Sequence, residues 1–314
     1  MTSPLPSTTP SRLADSSDPK VRLTGIGLIC GAFICFAVLD ATAKWLGQTI
    51  SYVEISWARY AGHFLLSFLV INPWNTPGVW RTKRLGLQML RSLLLVGITV
   101  SNFFALQYLQ LDQTISILFS TPFFVAVFAG PLLGEWIGPR RWIAIMVGFA
   151  GVLVIVRPTT HGLHPAVIAS LFGALCYAFY NICTRRLAST DSTATTMFYS
   201  SLVGATLLTI PLPWFWSTPT DALVIGNMAM LGVYGGLGHL LLVMAHRRAP
   251  AAVLAPFLYS QIIWMILAGW LLFGQVPNQW TLIGAGIVIA SGLYLLSRER
   301  IQHATKSLDA TLGD

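Results

Sequence analysis

The sequence predicts an all-α integral membrane protein of ten transmembrane helices, arranged as two five-helix halves of opposite topology. Three observations carry this. Of the 314 residues, 55% are hydrophobic and only 10% are charged, whereas a soluble domain carries about 25% charged residues. Apolar blocks recur every 25 to 30 residues with short gaps between them, which is membrane spacing. The second half of the chain repeats the first at an offset near 140 residues.

About 20 apolar residues cross roughly 30 Å of hydrocarbon. Ten stretches qualify: 25–46, 53–71, 87–109, 114–133, 142–156, 166–187, 195–214, 222–245, 252–273 and 279–296. The domain reading follows as a disordered tail over 1–20, a first repeat over 21–158, a second over 159–298 and a tail over 299–314. The first tail rests on Pro4, Pro6, Pro10 and Pro19 among Ser and Thr, with no apolar signal-peptide core.

The net charge of +8 raises the question of a nucleic-acid partner, and the placement of the charges answers it. With the N-terminus inside, the inner segments hold Arg12, Lys20, Arg22, Arg81, Lys83, Arg84, Arg140, Arg141, Arg185, Arg186, Arg247, Arg248, Arg298, Arg300 and Lys306. The outer loops hold Arg157 alone, and Lys44, Arg59 and Arg91 lie within spans. Fifteen against one predicts both termini in the cytoplasm, a lipid partner and no nucleic acid. Cys30, Cys35, Cys176 and Cys183 fall inside apolar segments at spacings that suit neither disulfide nor metal.

The repeat is visible in polar positions. Phe36, Ala37, Asp40, Lys44 and Leu46 align at offset 141 with Tyr177, Ala178, Asn181, Arg185 and Leu187. Leu118, Phe119, Ser120, Leu132, Gly134 and Glu135 align at offset 140 with Leu258, Tyr259, Ser260, Leu272, Gly274 and Gln275. Five spans per half is odd, so the second half enters from the opposite side. Carriers of this design hold substrate near the midplane between halves that alternate access.

The fourth and fifth spans read LFSTPFFVAVFAGPLLGE (118–135), then a basic pair and GFAGVLVIVRP (148–158). This resembles the EamA repeat of the drug/metabolite transporter superfamily, a proline-bearing span closing in Gly-Glu before a Gly-rich span. The second half departs from it with Gln275 in place of Glu. The resemblance implies a ten-helix metabolite carrier, YddG-like amino-acid exporters being among its members.

Ionisable and polar groups inside spans are costly, so each is a site candidate weighed against a structural role. Asp40 and Lys44 stand at i,i+4, and Arg59 on the next span lies at a similar depth. Ion pairing or snorkelling and direct substrate contact both remain open for this group. Ser56, Arg59, Tyr60, His63 and Ser67 form one polar stripe, read as cavity lining in preference to interhelical hydrogen bonding. Tyr177 and Asn181 share a face and mirror Phe36 and Asp40. His239 is either a helix contact or a ligand. Asn102, Tyr259, Gln261 and Trp264 complete a polar and aromatic lining. Gly27 with Gly31 and Gly232 with Gly236 have GxxxG spacing, read as close packing inside a monomer. Pro122 and Pro256 are expected to bend or end the equivalent spans.

No HExxH, GxSxG, Walker A or Cys/His metal pattern is present, so the sequence predicts no enzyme, cofactor or metal. It predicts a small-molecule carrier at the inner membrane, exporting amino acids, aromatic ones among them, or similar metabolites. A drug, nucleoside or sugar-phosphate carrier of the same fold is the alternative, and a membrane enzyme or signalling scaffold the reading from another class. Asp40 is the one acid well inside a span and has basic neighbours, so movement down the substrate gradient is expected; His63 keeps proton coupling open.

Overall fold

The computed structural model describes residues 19–72, 74–133, 138–157, 163–187, 190–249 and 251–312. The expected tail over 1–18, and Gly134, Glu135 and Pro158 of the quoted motifs, lie outside these residues. The described chain is helical, with no strand among the described residues. In order the elements are α1 (Pro19–Leu46), α2 (Tyr52–Val70), α3 (Leu85–Leu106), α4 (Leu111–Leu118), α5 (Thr121–Leu133), α6 (Pro139–Val156) and α7 (Pro165–Leu187). There follow α8 (Thr193–Thr209), α9 (Leu212–Phe215), α10 (Ala222–Arg248), α11 (Ala251–Leu254), a 3₁₀ segment (Ala255–Ser260), α12 (Gln261–Phe273) and α13 (Gln279–Leu312).

Among the described residues five segments are long and apolar enough to cross a bilayer: Leu23–Leu46, Leu85–Leu106, Leu111–Phe128, Pro165–Leu187 and Ala222–His246. Three shorter apolar helices, Trp142–Val156, Phe257–Phe273 and Gln279–Leu295, accompany them. The helices α2 and α8 fall in neither group because Glu54, Arg59 and His63 on one, and Ser and Thr residues on the other, lower their hydropathy. They pack on each other and on α10 and α3, respectively, so their polar faces are turned into protein, where lipid cannot strand them.

The most extensive helix pairings recur when the two halves are exchanged. Helix α1 lies on α10 as α7 lies on α3; α2 meets α10 as α8 meets α3; α1 meets α12 as α7 meets α5. The pairs α2–α8 and α6–α13 map onto themselves and mark the pseudo-two-fold axis. Local chemistry repeats with it. The Ser51 hydroxyl caps α2 by accepting from the Glu54 N–H at 3.2 Å, and 141 residues later Ser192 caps α8 by accepting from the Thr195 N–H at 3.1 Å. Ser291 donates to the Ala144 carbonyl across α6–α13, and the equivalent positions, Gly151 and Gly284, also touch through backbone.

The fourth and ninth expected spans are broken helices. Helix α4 stops before Phe119 and α5 starts at Thr121; the 3₁₀ segment ends at Ser260 and α12 starts at Gln261. Pro122 is second in α5 and Pro256 lies in the first turn of the 3₁₀ segment, where a missing N–H costs no helical bond, whereas Pro131 lies inside α5. The C-terminal boundary differs from expectation. Helix α13 continues through the expected tail to Leu312, because no Gly or Pro interrupts 293–312.

The glycine spacing has one decisive use. A Cβ on Gly232 would lie 2.5 Å from the Gly62 Cα, so α2 and α10 touch backbone to backbone. Gly236 lies beside His63, whereas Gly27 faces open space and Gly31 meets only Leu241, at 3.5 Å.

Candidate functional site

A cavity of about 440 Å³ opens between α2, α3, α7, α8 and α10. At its inner end the His63 and His239 imidazoles lie parallel, and the Phe36 ring stands edge-on behind His239 at 5.2 Å between centroids. One wall is α7, which presents Tyr177, Tyr180, Asn181 and Thr184 at helical spacing. The Asn181 amide donates to the Tyr177 carbonyl at 2.8 Å. The mouth is formed by Asp191, Thr193 and His246, at the end of the molecule that carries the basic connection between α2 and α3.

Beside α7, on the adjoining helix α3, stands Arg91, which is 6% exposed. Its Nε donates to the Thr184 hydroxyl at 2.6 Å, one Nη donates to the Ser200 hydroxyl at 2.6 Å, and the other donates to the Tyr180 hydroxyl. The guanidinium also lies 4.3 Å from the Tyr180 ring centroid. Every hydrogen-bond partner of Arg91 among the described residues is neutral, so its positive charge is oriented and left uncancelled beside the cavity.

At the mouth Asp191 ties the two halves together. It accepts from Thr82, from the Lys83 N–H at 3.3 Å and from the Gln88 amide at 2.8 Å. Its slight burial raises the pKa, but the bonds from Thr82, Gln88 and Lys83 and the charge of Arg84 outweigh that and hold it below the ordinary carboxylate value.

Of the residues singled out in the sequence, His63, Tyr177, Asn181 and His239 meet on this cavity, with Phe36 directly behind. The others lie elsewhere. Tyr60 is 1% exposed and seated on Gly204, its hydroxyl 3.1 Å from Thr99, so it packs and does not line the cavity. Tyr259 stacks edge-on against Phe119 at 5.0 Å, with its hydroxyl against Gly292. Trp264 is half-buried between two apolar clusters. Asp40 is buried and accepts from the Asn102 amide at 3.0 Å.

The Asp40–Lys44 pairing expected from i,i+4 spacing does not form. The Lys44 ammonium donates instead to the Leu106 and Leu109 carbonyls, at 2.8 and 2.6 Å, at the C-terminal end of α3, where unpaired carbonyls are plentiful. Arg59 donates to Thr99 and lies 5.2 Å from the Tyr60 ring centroid and 5.9 Å from that of Phe103, with no carboxylate among its hydrogen-bond partners. Its buried Nε has no partner among the described residues.

The sequence reading gives Arg91, Tyr180, Thr184 and Ser200 no role. The signal for Arg91 was available, since it is an ionisable residue inside a span. Tyr180 and Thr184 stand three and seven residues beyond Tyr177, on the same face.

Two consecutive segments, residues 23–157 and 164–298, each match the EamA-like transporter family. The chain belongs to that family. Its relatives include an S-adenosylmethionine uptake transporter of Rickettsia felis, 28% identical over 90% of this chain and 95% of its own length. A riboflavin transporter of Rhizobium johnstonii is 26% identical over 90% of this chain and 94% of its own. The pseudopaline exporter CntI of Pseudomonas aeruginosa is 29% identical over 88% and 97%. A solved crystal structure with 16% identity shares the fold at a TM-score of 0.60, covering 90% of this chain and 99% of that one. This EamA-like protein is therefore a multi-pass membrane transporter of small metabolites and not an enzyme. Uptake and export both occur among its relatives, so membership in the family does not fix a direction.

Proposed function

We propose that this protein is an inner-membrane carrier that crosses the bilayer ten times with both termini in the cytoplasm, and exports amino acids and similar metabolites carrying an aromatic ring and a carboxylate. The observation that carries the substrate class is the uncancelled charge of Arg91 beside Tyr177, Tyr180 and the stacked His63 and His239. A carboxylate entering the cavity meets an oriented guanidinium, and a ring meets aromatic faces. The Asn181 amide nitrogen is bonded to Tyr177, and its oxygen, which has no hydrogen-bond partner among the described residues, accepts from the substrate's ammonium.

The mouth lies at the end bearing Lys83 and Arg84, which the charge bias assigns to the cytoplasm, so the structure corresponds to the inward-open state. Rocking of the halves, 21–158 against 159–298, moves the opening to the other face. Among the described residues Asp191 at the mouth is the one carboxylate lining the cavity, which supports flux down the substrate gradient without obligatory proton movement. The cavity is enclosed by helices of one chain, which supports a working monomer.

The test is counterflow in proteoliposomes with a solute panel of aromatic amino acids, aliphatic amino acids and riboflavin, with and without a pH gradient. Aromatic amino acids are expected to exchange at a rate unaffected by collapse of the gradient. Riboflavin flux with no amino-acid exchange would overturn the substrate class, and proton movement in fixed ratio to substrate would overturn the coupling. A cysteine at Asp221 should react with an impermeant maleimide from outside and one at Arg140 should not.

A further inference from the structure

The cavity's lining can be carried through the internal repeat. The offset of 141 is pinned by the Ser51 and Ser192 caps and by Gly97 and Gly238, each of which seats a side chain of the other half, Cys176 and Phe36 respectively. Subtracting it from Tyr177, Asn181, Met197, Ser200 and Val243 gives Phe36, Asp40, Ser56, Arg59 and Asn102. Asp40, Ser56, Arg59 and Asn102 are polar, whereas most of the remaining lining maps to apolar or small residues such as Leu39, Ile55 and Ile98, and all of these lie in a region this state keeps closed. Asp40, Ser56 and Arg59 are 8%, 0% and 8% exposed.

Each of these polar groups is costly to desolvate in a region that stays closed, and their hydrogen bonds among the described residues leave part of that cost unmet. The Arg59 Nε is buried without a partner, and Asp40 is held by Asn102 without an ion pair within 4.0 Å among the described residues. The repeat also exchanges the helix that supplies the cation. On the open face α3 provides Arg91 and α8 provides Ser200 as its acceptor; on the closed face α2 provides Arg59, at the place of Ser200, and α10 provides Gly232, at the place of Arg91, with Gly235 against the Arg59 side chain.

We infer that Arg59 is a second anion anchor, used when the cavity opens on the face opposite the present mouth, and that Phe36, Asp40, Ser56 and Asn102 line that opening with it. The substrate carboxylate is then held by Arg91 on one face and by Arg59 on the other, and its ammonium by Asn181 and Asp40 in turn. The anchor role rests on the carboxylate-bearing substrate proposed above, and the second opening does not. The closed face is fastened by Glu54, whose carboxylate accepts from the Ser217 hydroxyl at 2.9 Å and from its N–H at 3.2 Å, across α2 and the connection after α9.

Two measurements on the full chain in proteoliposomes test this, with the native cysteines replaced. In the first, Ser56→Cys is exposed to an impermeant maleimide from the face opposite the mouth, with and without Glu54→Gln. Labelling is expected from that face, several-fold faster once the Glu54 clasp is weakened; protection in both backgrounds overturns the second opening. In the second, half-saturation for an aromatic amino acid is measured from each face. Arg59→Gln is expected to raise it roughly tenfold or more on the far face and to leave the mouth face within about twofold, with Arg91→Gln doing the reverse. Equal shifts on both faces overturn the anchor. Arg59→Lys, which keeps the charge, should recover most of the far-face affinity, and failure to recover any overturns the electrostatic role. Labelling at Ser56→Cys in a protein that moves no carboxylate-bearing solute supports the opening and overturns the substrate class together with the anchor.

Discussion

The imidazoles of His63 and His239 lie 5.7 Å apart and within 7° of parallel, closing the inner end of the cavity, and His239 is backed by Phe36. Ring contacts of this kind contribute about 0.5–1.5 kcal/mol each beyond area burial. His239→Ala removes both, so transport is expected to fall several-fold with insertion and folding intact. His239→Phe keeps the ring contacts and should retain most of the flux. Counterflow on the two variants, beside a thermal-stability control in detergent, checks it.

Gly232 and Gly236 are predicted to behave differently although both belong to one spacing motif. Alanine at 232 drives a Cβ to 2.5 Å from backbone that cannot rotate away, forcing α2 and α10 apart. A cost of about 1–3 kcal/mol follows from overpacking of this kind. Alanine at 236 meets the His63 ring at 3.5 Å, ordinary contact, and should be near neutral. Thermal unfolding of the two variants in the same detergent should separate them by several degrees.

Lys44 acts on the end of α3 and not on Asp40. Replacing it with methionine leaves the Leu106 and Leu109 carbonyls without their donor, at a cost of about 1–3 kcal/mol for buried unpaired groups. Asp40→Asn keeps an acceptor for Asn102 and should leave stability closer to wild type. Equal losses from Lys44→Met and Asp40→Asn would restore the ion-pair reading that spacing alone favours.

The Asp191 clasp carries a pH signature. Its folded pKa lies below the unfolded value of about 3.9. Such a group stabilises the folded state above the unfolded pKa and loses that contribution as pH falls through the folded pKa. Wild type and Asp191→Asn should therefore differ in melting temperature by a constant amount from pH 8 to about pH 5, and the difference should shrink progressively once pH falls below about 4. A difference that keeps its full size as pH falls below the unfolded value would show that the carboxylate's charge is not what fastens the mouth.

Much of this was legible in the sequence because membrane solvation is a severe constraint. Apolar length marked out helices, and polar matches in register, such as Ser120 with Ser260 and Asp40 with Asn181, revealed the repeat. Four cavity residues, His63, Tyr177, Asn181 and His239, were legible for the same reason. Partners were not. Whether Lys44 turns to Asp40, four residues away, or to Leu106, 62 residues away, depends on how α1 and α3 are docked, and no periodicity encodes that. A stripe on a helix says which face is polar but not which neighbour fills it; for Tyr60 the neighbour in this structure is Gly204, whose missing side chain admits the ring. Arg91 was passed over as one charge among many, and its uncancelled state emerges only when its neighbours are seen to be neutral.

Asp40 and Asn181 stand at equivalent places in the two halves, one with a formal charge and the other with an amide. If each receives a substrate ammonium on its own face, binding is unequal on the two sides of the membrane. For a passive carrier this inequality cannot set the direction of net movement, because microscopic reversibility makes the ratio of maximal velocities offset the ratio of half-saturation concentrations. What it sets is working range: the tighter face saturates at low concentration, while the looser face stays responsive at concentrations where the tighter one is full. Asn181→Asp would then equalise the two ranges without altering the final distribution of solute.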